Sequence, residues 1–396
     1  MRIAWFSACL AWPCFHANAQ ATVAVVANQP HSVFGGGVET WLRRSKQFSA
    51  TAQASAKFGH AVAIDGDWLA VGEPSYDSSE ARNSERGGSS SVGRVTLYQR
   101  EGNGWTSRYT IIGSQEFAQF GWSVALLGDD LVVGSPSHDL PDQFSIGLAS
   151  FYRRQGTTWL ANGTYACCSS AAETGSSVAL GRTRDGTFAY VGAPRARSSL
   201  LAEATGLVFA LRRIDTGWVL EPLPTPIDLA VNDQYGAAVA ASGGALVIGA
   251  PSHDTDGVIN SGAAYVLNRS LSGIWSQPQT LSFFDTTQGD VFGGSVAING
   301  IWIAVGSILR SVKGHPNGDT GAVQIFRYTT QYGWSAWQEL TGSNAATGDA
   351  FGSAVAFDST TLLVGARFDS ITSANDAGAA YFFRRATGGT PTPMAG

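Results

Sequence analysis

The stretch YGAAVAASGGALVIGAPSHDTDGVINSGAAYVL, from Tyr235 to Leu267, decides the fold of this chain. It contains an alternating apolar run opened by an aromatic residue and glycine, a second run closed by Gly-Ala-Pro, a polar loop, and a third run opened by glycine. Copies of this frame open, at similar intervals, at Phe58, Phe120, Thr174, Tyr235, Phe292 and Phe351. The chain is therefore a repeat protein with a period of about sixty residues.

A fourth run completes most units. It is opened by a tryptophan that follows the glycine of the third run at a nearly constant distance in units one to five, at Trp105, Trp159, Trp218, Trp275 and Trp334. Short runs of Val, Leu, Ala and aromatic residues, separated by Gly, Pro, Asp and Ser, are typical of strands joined by turns. One small four-stranded sheet does not bury both of its faces alone, so the repeat predicts an all-β fold, a β-propeller with one blade per unit.

The frame resembles the FG-GAP repeat, which occurs in the propeller heads of integrin alpha chains and in many secreted bacterial proteins. The resemblance rests on Phe58-Gly59, on Gly249-Ala250-Pro251 and on their copies, and it covers roughly residues 41–385. It implies the same propeller fold. Within a unit we expect Phe292 and Val296 to pack between blades, and Gly249 to supply a backbone angle closed to other residues.

Six units predict six blades, and the two chain ends are expected to share the last one. The interval from Trp41 to Phe58 equals the interval from Trp218, Trp275 or Trp334 to the opening aromatic that follows it. The segment from Trp41 to Phe48 therefore predicts a fourth strand, which the sixth unit, ending at Arg385, lacks. We expect this N-terminal strand to close the C-terminal blade and so remove exposed edges. Residues 20–40 are the alternative source of strands, for a seventh blade.

The two chain ends lie outside the predicted propeller. Residues 1–19 have one basic residue, an apolar stretch and Ala17-Asn18-Ala19 before the expected cut, which predicts a secretory signal peptide. No later run reaches 18 apolar residues, so no transmembrane segment is expected. Residues 386–396, rich in Gly, Pro and Thr, predict a disordered tail. We expect a secreted protein that is extracellular, periplasmic or at the cell surface.

Charge argues against a nucleic-acid partner. The chain carries 25 basic and 30 acidic residues, a formal net charge of −5, and phosphate binding needs a concentrated basic face.

Aspartates recur in the loop between the second and third runs. Unit four has Asp254 and Asp256 before Gly257, and unit two has Asp139 and Asp142. Oxygen ligands spaced in this way, with a glycine to bend the loop, are typical of calcium sites, and the resembled family can carry a DxDxDG calcium motif in this loop. The alternative is that these carboxylates cap turns by accepting hydrogen bonds from backbone N–H groups. We expect turn capping in most loops, with calcium as the alternative in units four and two.

The same loops contain two histidines at matching places, His138 and His253, which we expect to face solvent. Equivalent loops of all blades emerge at one end of a propeller, and functional residues concentrate on loops over a rigid scaffold. We therefore expect one face to engage the partner, with the polar residues Asp77, His138, Asp139, His253, Asp254 and Asp256.

Three classes of function remain open. The sequence has no Gly-x-Ser-x-Gly elbow, no His-Glu-x-x-His pair and no Cys/His cluster, so no catalytic motif indicates an enzyme. We favour a binding or adhesion module for an extracellular protein or carbohydrate. A structural envelope protein is the second class, and a polysaccharide-acting enzyme with a site shared between blades is the third, since propellers host all three.

Overall fold

The computed structural model describes residues 53, 56–77, 91–102, 104–167, 169–197, 204–311, 318–358, 360–370, 376–385 and 391–393. Within these residues the chain forms 24 β-strands and one short 3-10 turn, Thr255–Gly257. The predicted all-β class is confirmed. No helix in the described part of the chain is long and apolar enough to cross a membrane.

The strands form six four-stranded sheets in the described residues. The first three blades are β1 to β4 (Ala61–Asp65, Trp68–Glu73, Arg94–Glu101, Gly104–Ile112), β5 to β8 (Ser123–Leu127, Asp130–Ser135, Leu148–Gln155, Thr158–Tyr165) and β9 to β12 (Ser177–Thr183, Gly186–Ala193, Leu207–Ile214, Gly217–Glu221). The last three are β13 to β16 (Ala238–Ser242, Ala245–Ala250, Ala263–Asn268, Gln279–Leu281), β17 to β20 (Phe292–Asn299, Trp302–Ser307, Ala322–Thr329, Gly333–Leu340) and β21 to β24 (Phe351–Phe357, Thr361–Ala366, Ala379–Arg385, Pro391–Pro393). The prediction of six blades is confirmed.

Each blade is an antiparallel meander in chain order, and neighbouring blades are joined in a uniform way. The glycine before the third strand forms a parallel bridge to the opening residue of the next blade, in the pairs Gly93 and Phe120, Gly147 and Thr174, Gly206 and Tyr235, Gly262 and Phe292, and Gly321 and Phe351. Thr174 thus takes the place of the aromatic residue in the degenerate third unit.

The core lies between the blades. Phe292 and Val296 are buried in one cluster with Val247 and Val266 of the preceding blade, which confirms the packing predicted for the first strand. Clusters of the same kind join the first blade to the second, the second to the third, the third to the fourth, and the fifth to the sixth. Burial of these apolar faces is the main stabilising contribution to such a fold.

Gly249 is required for a different reason from the predicted one. Its φ is not in the left-handed region, but a Cβ at this position would lie 1.9 Å from the carbonyl oxygen of Gly293 in the next blade. The glycine is therefore needed because two backbones approach each other, whereas Gly293 itself does adopt a positive φ of 95°.

The last blade differs from the prediction at the chain's C-terminus. Its fourth strand is β24, whose residues pair with β23 at Phe383, Arg384 and Arg385. Three residues of the segment predicted as a disordered tail are therefore a strand, because an edge strand needs only backbone pairing and tolerates proline there. The predicted N-terminal strand, Trp41 to Phe48, and the signal peptide lie outside the described residues, so their placement stays a prediction.

Candidate functional site

One end of the propeller is made by the loops between second and third strands together with the connections from each fourth strand to the next blade. We call this end the loop face. Side chains hold the two kinds of segment together: the Gln115 amide donates to the Asp139 carbonyl oxygen at 3.0 Å and accepts from the Asp139 N–H at 2.7 Å. Gln53 makes the same pair of hydrogen bonds to Asp77, at 2.7 and 2.9 Å. The loop face is thus fixed to the scaffold beneath it.

The loop aspartates bind backbone N–H groups of their own loops. Asp77 Oδ1 accepts from Ser91 N–H at 2.8 Å, Asp139 Oδ1 from Ser145 N–H at 2.6 Å, and Asp254 Oδ1 from Asn260 N–H at 2.7 Å. In each case the donor stands two residues before the glycine that opens the third strand. These three carboxylates therefore make the backbone hydrogen bonds that the turn-capping interpretation predicts.

Asp142 and Asp256 have another position in the loops. Both are exposed and both adopt a positive φ, of 62° and 53°. Among the described residues, no three His, Cys, Asp or Glu side chains are grouped as a metal site. Calcium at Asp254, Asp256, Asp139 and Asp142 stays a prediction.

His253 does not face solvent, contrary to the prediction. It is only 6% exposed, its Nδ1 lies 2.7 Å from Asp233 Oδ2, and its Nε2 lies 3.4 Å from the Tyr265 hydroxyl. Burial by itself would lower the pKa of His253, but the hydrogen bond to Asp233 and the charges of Asp233, Asp228 and Asp254 together raise it above its ordinary value of 6.5. His253 therefore supports the loop face from below.

His138, at the matching place in the second blade, is half-buried. Burial lowers the pKa of His138, with a smaller opposing effect from Asp139. The two histidines therefore share a position, but their pKa values shift in opposite directions. The cause is Asp233 beside His253, a place that Ala118 takes before the second blade.

An aspartate stands two residues before the opening aromatic residue in the fourth, fifth and sixth blades. Asp233, Asp290 and Asp349 are all buried, and each accepts a backbone N–H from three residues earlier in its turn. In the fifth blade the partner is Arg310, whose guanidinium lies 2.9 Å from Asp290. These pairs fix the connections that enter blades four and five.

Large apolar side chains stand exposed on the loop face. Phe144, Ile227 and Phe284 have 76%, 101% and 96% of their surface accessible, and they belong to successive parts of the ring. Further exposed apolar residues of the loop face are Phe117, Leu140, Val231, Ile259, Leu309 and Phe368. None of these residues was predicted from the sequence as part of a site, although apolar residues in loop segments outside the alternating runs were the available signal.

The opposite end of the ring is formed by the short turns between first and second and between third and fourth strands. Ion pairs are frequent there, including Arg213 with Asp130 at 3.2 Å and Arg269 with Asp185 at 2.5 Å. Burial raises the pKa of Asp130 to about 6, with Arg153 the largest opposing influence. Ion pairs are present at both ends, including Arg195 with Glu173 on the loop face. Exposed apolar side chains also occur at the turns, at Leu271, Ile274, Ile301 and Tyr332, but in smaller number than on the loop face.

Comparison with known proteins supports the repeat assignment. The sequence model of a family described as "FG-GAP repeat" matches residues 41–92, 218–267, 275–326 and 334–383, about half of the chain. A crystal structure of a protein from Lactobacillus plantarum superposes with a TM-score of 0.53 at 13% identity, over 87% of this chain and 86% of that one, which is a likeness of fold alone. No curated protein matches the chain.

Proposed function

The chain belongs to the FG-GAP repeat family, and from this premise we propose that it is a secreted binding module, not an enzyme, that engages an extracellular protein through the loop face. The family and the β-propeller fold support a binding or structural module. The predicted signal peptide, residues 1–19, supports an extracellular location.

The observation that carries the proposal is the exposure of Phe144, Ile227 and Phe284 on one end of the ring. Exposed apolar side chains cost free energy in water, and removing apolar surface from water contributes about 25 cal/mol per Å². Single exposed apolar residues are normal, but several on the same end of a rigid scaffold are typical of protein interaction sites. The loop face therefore fits a partner that covers these side chains.

The charge of the loop face narrows the chemistry of the partner. Among its described residues the partly or fully exposed basic side chains are Lys57, Arg195, Arg197 and Arg367. The acidic ones are Asp77, Glu116, Asp139, Asp142, Glu173, Asp228, Asp254, Asp256, Asp285, Asp319 and Asp376. Complementary charge speeds association and excludes wrong partners. We therefore propose a protein surface that combines apolar and basic side chains, in preference to a neutral carbohydrate.

The test is an array of recombinant extracellular proteins and of glycans, probed with the purified full chain. For each protein that binds, the affinities of Phe144→Asp, Ile227→Asp and Phe284→Asp are measured. Matched controls are Leu271→Asp and Tyr332→Asp, which are 82% and 72% exposed at the opposite end. Loss of an apolar anchor should weaken binding at least about tenfold, while the controls should leave it unchanged.

Two results would contradict the proposal. One is binding to glycans only, with no protein bound. The other is a bound protein whose affinity falls with Leu271→Asp or Tyr332→Asp and not with the loop-face variants.

A further inference from the structure

The end of the ring opposite the loop face, which we call the turn face, carries apolar tips in two neighbouring blades. Leu271 and Ile274 lie in the turn between the third and fourth strands of blade four, with 82% and 68% of their surface accessible. Ile301 and Tyr332 lie in the two turns of blade five and are 45% and 72% exposed. The same turns of the first three blades consist of glycine and of polar or charged residues, as in Asp65-Gly66-Asp67. Apolar tips therefore distinguish blades four and five.

The turn of blade four is ordered, so its apolar side chains stay exposed. Ser270 N–H donates to the Ile274 carbonyl oxygen at 2.8 Å, and Gly273 N–H donates to the Ser270 carbonyl oxygen at 3.0 Å. Ile274 N–H donates in turn to Ser270 Oγ at 3.0 Å. Refolding the tip to cover Leu271 would break these hydrogen bonds. The exposure of Leu271 is therefore a fixed property of the turn.

The turns of the two blades lie side by side. Gly300 in blade five donates its N–H to Ser242 Oγ in blade four at 3.2 Å. The Gln279 amide in blade four donates to the Trp334 carbonyl oxygen in blade five at 2.8 Å. The four apolar tips therefore belong to one surface.

This surface contains arginine and no carboxylate. Residues 238–248, 264–281, 296–304 and 323–338 form the turn-face half of blades four and five, and they include no Asp or Glu. Their two basic residues are Arg269 and Arg327. Arg269 is ion-paired with Asp185 of blade three, whereas Arg327 has no acidic partner among the described residues. The apolar tips are therefore accompanied by uncompensated positive charge.

Positive charge also predominates over the turn face as a whole. Every third strand has an arginine at or next to its turn-face end, at Arg100, Arg154, Arg213, Arg269, Arg327 and Arg385. The other arginines of the turn face are Arg108, Arg153, Arg182, Arg184, Arg212 and Arg384. Its described acidic residues are fewer, namely Asp65, Asp67, Glu101, Asp129, Asp130, Asp185, Asp215, Glu221 and Asp358. Because the loop face is acidic, the two ends of the molecule differ in the sign of their charge.

We propose that the turn face docks on an anionic lipid membrane, with Leu271, Ile274 and Tyr332 entering the headgroup region. Exposed apolar patches with a polar rim mark protein or membrane interaction sites. Peripheral binding to a membrane grows with the apolar area buried and with the attraction between basic residues and anionic lipids. A tyrosine suits the boundary because its ring is apolar and its hydroxyl stays hydrated.

A lipid surface fits this end better than a protein surface does. The apolar side chains stand on the tips of separate turns, so each of them enters a fluid layer without a matching pocket. The surrounding charge is arginine, which attracts anionic headgroups within the Debye length. The acidic loop face is repelled by the same headgroups, so the protein is oriented with the loop face directed away from the membrane. Phe144, Ile227 and Phe284 then remain accessible to a partner, although membrane docking does not require one.

Vesicle sedimentation with the purified full chain tests the proposal. The vesicles are phosphatidylcholine alone and phosphatidylcholine mixed with phosphatidylglycerol. We expect stronger binding to the mixed vesicles, and weaker binding to them as the salt concentration rises. Leu271→Gln and Ile274→Gln should each weaken binding to the mixed vesicles by about fivefold or more, because less apolar area is buried.

The charge and the orientation have variants of their own. Arg184 is exposed next to Asp185, the partner of Arg269, and Arg184→Gln should weaken binding to the mixed vesicles by about fivefold. Ile227→Gln and Phe284→Gln are the matched controls, since these residues are exposed on the loop face, and they should leave vesicle binding unchanged. All variants keep residues 1–19, so differences between them do not come from the predicted signal peptide. Equal melting temperatures are expected, because the substitutions are at the surface.

Three results would overturn the proposal. The first is no binding to either kind of vesicle. The second is binding that falls with salt but not with Leu271→Gln or Ile274→Gln, which would show adsorption by charge alone. The third is binding that falls with Ile227→Gln or Phe284→Gln, which would place the membrane at the loop face. A soluble protein whose affinity falls with Leu271→Gln, without vesicle binding, would assign the tips to a protein partner instead.

Discussion

One position beneath the loop face, the partner of a buried aspartate, carries a different residue in different blades. In blades four and five a buried aspartate of the entering connection meets the residue four places after the glycine of the second strand, which is His253 or Arg310. A buried carboxylate without compensation costs several kcal/mol, so a hydrogen-bonded or charged partner is required. The repeat keeps the position and varies the partner.

The pair of His253 and Asp233 predicts a pH-dependent stability. The pKa of His253 is raised in the folded state, so protonation favours folding. The contribution is fully present below the unfolded pKa and is lost as the pH rises through the folded pKa. The difference in free energy of unfolding between the native protein and His253→Asn should therefore shrink as the pH rises above the ordinary pKa of 6.5 and through the raised folded-state pKa, as measured by denaturant titration.

His138 provides a control of opposite sign. Because burial lowers its pKa, its neutral form favours folding, and the difference between the native protein and His138→Asn should grow as the pH rises through its unfolded pKa. If the two variants change in the same direction with pH, the buried pair is not the cause.

At the scale of the element, the glycine near the end of the second strand is where one blade approaches the backbone of the next. Gly249→Ala would place a Cβ 1.9 Å from the Gly293 carbonyl oxygen, whereas at Gly365, the same position in the sixth blade, no atom lies nearer than 3.5 Å. We expect Gly249→Ala to lower the free energy of unfolding by about 3 kcal/mol or more, because neither backbone yields easily. Gly365→Ala should change it by less than about 1 kcal/mol. Chemical denaturation measures both, and equal losses would contradict the junction geometry.

A variant of Asp254 distinguishes the two roles proposed for the loop aspartates, turn capping and calcium binding. Asp254 accepts the Asn260 N–H at 2.7 Å, and a hydrogen bond to a charged group contributes about 1.5–3 kcal/mol. Asp254→Ala should lower the free energy of unfolding by about this amount or somewhat less, equally in excess calcium and in EDTA. A loss that appears only with calcium would show that the carboxylate acts as a metal ligand instead. Asp256→Ala is the matched control, since Asp256 is exposed in the same loop.

The elements themselves could be predicted from the sequence, because alternation, glycine and proline are local signals. The blade pattern around Phe292 and Val296 follows from them. The burial of His253 could not be predicted, since it depends on Asp233, which comes 20 residues earlier and approaches only through the fold. The exposure of Phe144 and Phe284 could not be predicted either, because the local sequence does not show whether the fold covers an apolar residue in a loop.

At the scale of the whole molecule, the junction between the sixth and first blades differs from the other five. Val62 in β1 is 63% exposed, while Val296, at the same register position in β17, is 9% exposed. Ile64 and Leu363, on the facing sides of the first and sixth blades, are exposed as well. No core cluster of described residues joins these two blades. This junction is therefore the expected place for the ring to open first, because local stability follows buried apolar contact.

Matched valine truncations measure this difference. Val296→Ala removes methyl groups from a packed interface and should lower the free energy of unfolding by about 2 kcal/mol. Val62→Ala alters an exposed side chain and should change it by less than about 0.5 kcal/mol. Both valines pair with the valine before the glycine of the second strand, so strand propensity is matched between them. If Val62→Ala costs as much as Val296→Ala in denaturant titrations, the sixth and first blades pack face to face in solution, and the junction is as tight as the other five.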